Sequence, residues 1–313
     1  MSNKETQNSV FGFDGQMRFW GNSSVSAWYG QVQDDQFEKP SEASMIKVDL
    51  KNDRYFFTAG QHRVDKDFHP ALGFVQRNDM VGTGAMMGFT PRVGDGEELI
   101  RQMRYTLYVR DVKNLEGLSE TSIINGGIDA IFESRDRIGL KIIQEKEKLS
   151  DGFILGNGFE IQKGNYRDRK ISLSARTNQS RGIWGNFAIS KGDYFGGNKT
   201  SWSSSIGKQF SNHLTLYGSA NQNIIFMSNQ GEFTANVYGF TAEVALNRKW
   251  FGKALLQYDN FSNQLQVYCR INWIHTPGSD LFIVINKLYD LSGDNYGLVQ
   301  NTQVIKLTYL FQI

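Results

Sequence analysis

Few residues of this sequence are suited to catalysis, and His69 has the most suggestive surroundings. It lies in the segment DKDFHPALGFVQRND, where Asp65, Asp67 and Asp79 supply carboxylates. A histidine beside a carboxylate and a nucleophile is a common arrangement for general acid-base hydrolysis. One interpretation is therefore a hydrolase site at the rim of the protein. The simpler interpretation is a histidine that braces a loop.

Metal and phosphate sites are not indicated by the other chemically versatile residues. The histidines do not share the spacing that gathers ligands on one element, and Cys269 is the one cysteine. The glycine-rich stretches SDGFILGNG and GDYFGGN lack the Lys-Ser/Thr pair of a phosphate loop, and DLSGDNYG lacks the ligand spacing of a calcium loop. These stretches predict turns, and we expect no cofactor and no metal.

Composition excludes some classes of partner. With 34 Lys and Arg against 32 Asp and Glu, the formal charge is +2, which argues against nucleic acid. The N-terminal MSNKETQNSV lacks the apolar core of a signal peptide. Apolar runs of 18 residues are absent from the sequence, but a spanning β-strand needs only about 9–11 alternating residues.

Period-two alternation runs through the whole chain and predicts β-strands. Clear examples are the segments 103–110, 238–246, 264–273 and 305–311, with turn-forming clusters between them. About seventeen such segments can be counted, centred near residues 15, 28, 46, 59, 85, 105, 125, 143, 173, 186, 204, 220, 240, 256, 269, 285 and 308. The fold class is all-β; the best helix candidate, the segment 141–149, fits the end of a strand equally well.

The connections between these segments alternate in length, as in outer-membrane barrels with short periplasmic turns and long external loops. Short connections such as KND at 51–53 take every second place, and longer ones such as 65–79 and 150–169 fall between. We therefore predict an antiparallel transmembrane β-barrel of about 16–18 strands. Single-chain bacterial barrels use even numbers, so seventeen predicts either missing upstream strands or one misread segment.

Charged and aromatic residues follow the same alternation. Seven charged side chains are in phase with polar neighbours and are expected to face a wet lumen, as pore-lining groups or as cross-strand ion pairs: Arg104, Arg110, Asp129, Glu133, Lys141, Arg270 and Lys306. Four tryptophans near strand ends are expected to form interfacial girdles: Trp20, Trp184, Trp250 and Trp273. In a water-soluble β-sandwich these rings would be core residues.

Four stretches carry a family resemblance: DRYFFTAGQHRVDKDFHPALGFVQRND (53–79), GFTPR (88–92), INWIHTPGSDLFIVIN (271–286) and VIKLTYLFQI (304–313). They resemble the C-terminal barrel region of the family called domain of unknown function 5916. The resemblance runs over most of the chain and implies a Gram-negative outer-membrane protein, usually with a signal peptide and a domain similar to carbohydrate-binding family nine ahead of the barrel. It implies no activity.

The sequence thus predicts residues 1–9 as a loop or disordered terminus and residues 10–313 as a single transmembrane barrel domain, the C-terminal part of a longer architecture. Leu307, Tyr309 and Phe311 resemble the terminal signal read by barrel-assembly machinery. The connection carrying His69, Pro70, Phe74, Arg77 and Asp79 is predicted to fold into the lumen as a constriction.

Three functions are compatible with this architecture. The first is a porin-like channel or uptake component, with a saccharide or other small solute as cargo. The second is a plugged barrel that acts as a scaffold or a secretion-associated partner-binding protein, and the third is the rim enzyme around His69. Expected partners are outer-membrane lipid and, during biogenesis, the barrel-assembly machinery.

Overall fold

A computed structural model of the chain describes residues 7–94, 98–155, 158–293 and 296–311. Nineteen strands occur in these ranges, and they contain no helix. Seventeen of the strands belong to a sheet in which chain neighbours pair antiparallel, and the three-residue β9 and β10 form a separate hairpin. The predicted strand count and class are confirmed.

The chain divides into two compact units. The first comprises Met1–Glu133, Gly139–Phe153 and Glu160–Ile171, and the second comprises Ser134–Ile138, Ile154–Phe159 and Ser172–Ile313. Strands β8 and β11 contribute residues to both units. The structure begins strand β1 at Asn8, two residues before the predicted barrel boundary; the assignment of residues 10–313 to one domain stays a prediction.

In the first unit the strands are β1 (Asn8–Phe19), β2 (Ser23–Asp34), β3 (Ser41–Lys51), β4 (Tyr55–Val64), β5 (Met80–Phe89), β6 (Ile100–Lys113), β7 (Ser119–Phe132) and most of β8 (Arg137–Leu149). Between β8 and β11 lie β9 (Phe153–Leu155) and β10 (Phe159–Ile161). The second unit contains the end of β11 (Gly164–Arg176), β12 (Ile183–Tyr194), β13 (Gly197–Ser211), β14 (Leu214–Met227), β15 (Gly231–Ala245), β16 (Trp250–Asp259), β17 (Gln264–Thr276), β18 (Ser279–Asp290) and β19 (Gly297–Thr308).

Each unit presents one apolar and one polar face, because alternate side chains of a strand point to opposite sides. In the first unit Leu50, Phe57, Met87 and Leu107 are successive cross-strand partners, and all four are exposed. In the second unit a corresponding row is Gly252, Ile271, Ile283 and Ile305. A water-soluble monomer rarely exposes apolar patches larger than a few hundred Å², whereas a lipid-facing wall requires them.

The connections confirm one predicted turn and correct another, since SDGFILGNG contains the strand β9, and the predicted alternation of short and long connections holds only in part. GDYFGGN forms a two-residue hairpin in which Phe195 and Gly196 have φ of 45° and 81°, the left-handed conformation that a type I′ turn requires. In the first unit the long connections 65–79 and 150–163 leave the same strand ends, although the connection 90–99 at the opposite ends is also long. In the second unit the connections are short at both ends.

Candidate functional site

The strongest structural feature of the first unit is the loop of residues 65–79, which joins β4 to β5. Its Phe68 is only 8% exposed. The phenyl ring packs in a cluster with residues near the same ends of β2 to β6, all on the polar face of the sheet: Val32, Ala43, Val64, Met80 and Val112. Trp28 and Val75 border this cluster. Phe68 therefore fixes the loop against the polar face.

Main-chain and side-chain hydrogen bonds hold the loop around Phe68. Asn78 Nδ2 donates to the carbonyls of Lys66 (3.1 Å) and Phe68 (3.2 Å) and lies 3.0 Å from His69 Nε2. The His69 ring stacks on Phe37 with centroids 6.4 Å apart. Asn8 Nδ2 donates to the His69 carbonyl at 2.9 Å. His69 thus braces the loop: its ring contacts the Asn78 amide and the Phe37 ring, and it also interacts electrostatically with the Asp34 carboxylate.

The C-terminal part of the loop is anchored to β7 and to the turn before it. The Arg77 guanidinium forms an ion pair with Glu120, and its Nη1 donates to Thr121 Oγ1 at 3.2 Å. Asp79 adopts a φ of 53° and accepts a hydrogen bond from the Leu115 amide at 3.1 Å. Arg77 and Asp79 therefore fix the C-terminal part of the loop to β7 and to the turn that precedes it. That the loop folds into a lumen as a constriction stays a prediction.

Phe74 is not the inserted aromatic residue that the sequence suggested. Phe74 is 91% exposed, and Leu72 is fully exposed. Pro70 accepts the hydrogen bond of the Gly73 amide at 3.1 Å, which closes a turn at the tip. Phe68, which lies closer to the end of β4, is the phenylalanine that packs against the apolar cluster. Alternation gives no signal for this choice because it stops at Val64.

On the polar face of the first unit lie four of the charged residues predicted to face the lumen. Arg104 is the direct cross-strand partner of Asp129, and its Cζ lies 4.9 Å from the centre of the Phe56 ring. Arg110 shares this face by alternation, and Lys141 Cγ lies over Gly127. Glu133 follows β7 in a turn, where its amide donates to the Leu99 carbonyl at 3.1 Å, rather than lying within a strand.

Arg270 and Lys306 lie on the polar face of the second unit. Both cations approach the Phe282 ring, with Arg270 Cζ at 5.3 Å and Lys306 Nζ at 5.7 Å from its centre. Arg270 Nε also donates to Asn272 Oδ1 at 2.7 Å. The ring sits between two cations that would otherwise repel, which is a favourable position for its electron-rich face.

Three of the four predicted girdle tryptophans have suitable positions. Trp250 and Trp273 are cross-strand partners with stacked rings 5.5 Å apart on the apolar face, near the strand ends. Trp20 is exposed in the turn after β1. Trp184 differs from the prediction, because it lies on the polar face with its ring over Gly207 and against Tyr217. A glycine partner leaves room for an indole on that side.

The terminal residues predicted as an assembly signal are exposed. Leu307 lies on the apolar face of β19, opposite Leu281. Tyr309 and Phe311 follow the strand, and their ring centres are 4.7 Å apart. Ile313 lies outside the described residues.

One loop of the second unit carries a tightly held carboxylate. Asp136 accepts hydrogen bonds from Arg181 Nε (3.1 Å), the Asn178 amide (2.8 Å) and Ser134 Oγ (2.8 Å). The Arg181 guanidinium and the Asn178 amide hold the pKa of Asp136 down to about 2, because they stabilise its ionised form. This ties the turn before β8 to the connection before β12.

In the described part of the chain, no three His, Cys, Asp or Glu side chains approach closely enough to share a metal ion. His213 Nδ1 bonds to the carbonyl of Ala245 rather than to a carboxylate. A search of the described residues for helices with the length and apolar character needed to cross a membrane found none.

Comparison with known proteins gives a likeness in fold alone. No protein-family model and no curated protein matches the chain. Among solved structures, the siderophore receptor PirA from Acinetobacter baumannii superposes over 98% of this chain and 71% of its own, with 8% identity and a TM-score of 0.51. OmpT, an outer membrane protein of Vibrio cholerae, superposes over 95% of this chain and 93% of its own, with 9% identity and a TM-score of 0.39.

The fold likeness to PirA and the exposed apolar faces of both units confirm the predicted class, an antiparallel β-barrel of the outer-membrane type. Hydrocarbon offers no partner to the main chain of an open strand edge, so strands cross such a membrane as barrels. The predicted location, the outer membrane, is confirmed at this level.

Proposed function

We propose that the chain forms the wall of a porin-like channel that takes small polar solutes through the outer membrane. The observation that carries this proposal is the two-sided sheet of each unit, apolar and exposed on one face, polar on the other. On the polar face Arg110 keeps partial exposure, and so does Arg104 apart from its buried Nε. A face with retained charges suits a wet channel, where charged side chains cost little.

The 65–79 loop supports a channel that is narrowed rather than filled. Phe68 packs only on residues near the ends of β2 to β6, such as Val64 and Met80. Positions further along these strands, including Arg104, are not in the buried cluster. We propose that the loop is a constriction near the entrance.

The proposal extends to the partners and the family. Lipid covers the apolar faces, and the barrel-assembly machinery reads Leu307, Tyr309 and Phe311 during insertion. Membership of the domain of unknown function 5916 family, and a saccharide-related cargo, belong to the same proposal. Catalysis is not part of it; the described surroundings of the His69 ring are Asn78, Phe37 and, through an electrostatic interaction, Asp34.

Exposed apolar residues favour a second candidate, a partner-binding barrel. Leu72 and Phe74 stand exposed at the tip of a loop whose base is fixed by Phe68. Large apolar side chains exposed together on one loop can contribute to a protein-binding surface. Under this candidate the Leu72→Ser, Phe74→Ser double variant loses a partner and keeps the conductance.

Planar-bilayer recording of the full chain tests the channel. We expect stepwise conductance, and a larger step in Phe68→Ala, because the loop is then released from the polar face. Phe74→Ala is the matched control and should leave the step unchanged. Current that never exceeds the protein-free background would overturn the channel proposal.

A further inference from the structure

The polar face of the second unit contains a region without charge on β12 to β14. Successive cross-strand partners there are Asn186, Ser205 and Ser219, and a second row is Ser190, Ser201 and Asn223. We call the following set the neutral belt: Asn186, Ser190, Ser201, Ser203, Ser205, Ser219, Asn221 and Asn223. Lys199 lies beyond it toward one strand end, and Glu243 and Lys253 lie toward the other.

The belt's side chains are already oriented by one another. Ser201 Oγ donates to Asn223 Oδ1 at 2.8 Å, and Asn186 Nδ2 donates to Ser205 Oγ at 3.2 Å. A carboxamide has two N–H donors and an acceptor oxygen with two lone pairs, so one such bond leaves further donors and acceptors available. Asn186 and Asn221 are exposed. The belt can therefore bind a ligand through both donors and acceptors.

An aromatic surface adjoins the belt. Trp184 lies one row from Asn186 on the same face, and its ring covers Gly207, where an added Cβ would stand 2.6 Å from the indole Cε2. Tyr217 meets it at 5.8 Å with planes at 72°. One face of the Trp184 indole lies on the main chain at Gly207. Because the ring is only half-buried, a ligand can pack against the part that remains exposed.

This combination matches the chemistry of a sugar. A pyranose has an apolar C–H face that packs on aromatic rings and hydroxyl groups that both donate and accept, and it carries no charge to be balanced. Ligand sites generally join such an aromatic surface to a few placed polar groups. We propose that Trp184, Tyr217 and the neutral belt bind a neutral saccharide; this inference rests on the proposed channel, whose solute path the belt would line.

The test uses the full chain and maltohexaose as a neutral linear probe. Binding is measured twice, as block of the bilayer current and as heat of titration in detergent. We expect saturable binding that Trp184→Ala weakens at least tenfold in both measurements. Trp202→Ala is the matched control, because Trp202 lies on the opposite face of β13, where its Nε1 donates to Gln222 at 2.6 Å.

The outcomes separate the two proposals. Equal sugar affinity in wild type and Trp184→Ala, or no binding by titration, overturns the saccharide site. If Trp184→Ala lowers only the unfolding midpoint, the indole acts as a structural cover for Gly207 and the site is likewise overturned. Absence of conductance with Trp184-dependent titration heat contradicts the channel but supports the site.

Discussion

The polar faces of the two units differ in which side chains they carry. In the first unit that face combines a buried apolar cluster around Phe68 with charges such as Arg104, Arg110 and Asp129. In the second unit the face of β12 to β14 is a field of hydroxyls and carboxamides. The long 65–79 loop accounts for the cluster of the first unit, because a loop that folds onto a sheet needs apolar residues there. The second unit has its own buried cluster beyond the belt, in which Ile225 and Phe233 are cross-strand partners and Phe159 packs on Phe233 with ring centroids 4.6 Å apart.

The two units also differ in the contacts that fix the side chains of their polar faces. Phe68 belongs to a loop outside the sheet and is buried against the strands, while Asn186 and Ser205 are hydrogen-bonded to each other across neighbouring strands. We therefore expect the first unit to respond to loop variants by local opening. The second unit should respond mainly to changes in its strand faces.

The largest effect is expected from Phe68→Ala. Truncation of a buried phenylalanine costs about 3–5 kcal/mol, and the cost should fall on the closed state of the 65–79 loop. Amide hydrogen exchange of residues 66–78 should accelerate by more than a hundredfold, with strand amides of the second unit unaffected. Phe74→Ala, in the same loop but exposed, should leave the exchange rates of the loop and of the strands unchanged. Slow exchange in Phe68→Ala would contradict the anchoring role.

A slightly smaller effect is expected from charge placed on the apolar face. Leu256 and Gln257 are adjacent on β16 but point to opposite faces. An arginine facing lipid costs about 2–4 kcal/mol near the midplane, so Leu256→Arg should destabilise the protein by that amount in vesicle-based equilibrium unfolding. Gln257→Arg should be nearly neutral. Equal losses would show that the assignment of the two faces is wrong.

A third test asks whether charge as well as apolar contact holds the loop. In a double-mutant cycle with Arg77→Met and Glu120→Gln, we expect a coupling of about 1 kcal/mol on loop opening, because the pair is partly buried. The matched control is the Arg92–Asp53 pair, 3.0 Å apart and mostly exposed on both sides, which should show coupling near zero. Similar coupling energies in the two cycles would show that the Arg77–Glu120 ion pair does not help to hold the loop closed.

Strands and faces could be predicted from the sequence, because alternation is a local property of the chain. Each predicted strand centre falls within a strand of the sheet, from residue 15 in β1 to residue 308 in β19. Trp250 and Trp273 were likewise predictable, since position beside a turn and phase in the strand agreed. For Trp184, position beside a turn predicts a place in the girdle, whereas its phase in β12 places it on the polar face.

The loop and the neutral belt could not be predicted in the same way. The insertion of Phe68 depends on five strands meeting beneath it, and no spacing within DKDFHPALGFV distinguishes it from Phe74. The belt depends on register, which sets Asn186 beside Ser205 and Ser219. Register is set by tertiary pairing, and polar stretches such as SWSSSIG constrain it weakly.

The smallest effect concerns a charge of the second unit that lies outside the strands. Asp136 has a pKa of about 2 in the folded protein against 3.8 in an unfolded chain, mainly because Arg181 bonds its carboxylate. A depressed folded pKa gives stability that is complete above the unfolded value and is lost as pH falls toward the folded value. Between pH 4.5 and pH 2 the unfolding midpoint of wild type should therefore fall more steeply than that of Asp136→Asn. Asp151→Asn, an exposed aspartate elsewhere, serves as control and should follow wild type. Parallel curves for Asp136→Asn and wild type would mean that the Asp136–Arg181 contact, which joins the turn before β8 to the connection before β12, does not persist in solution.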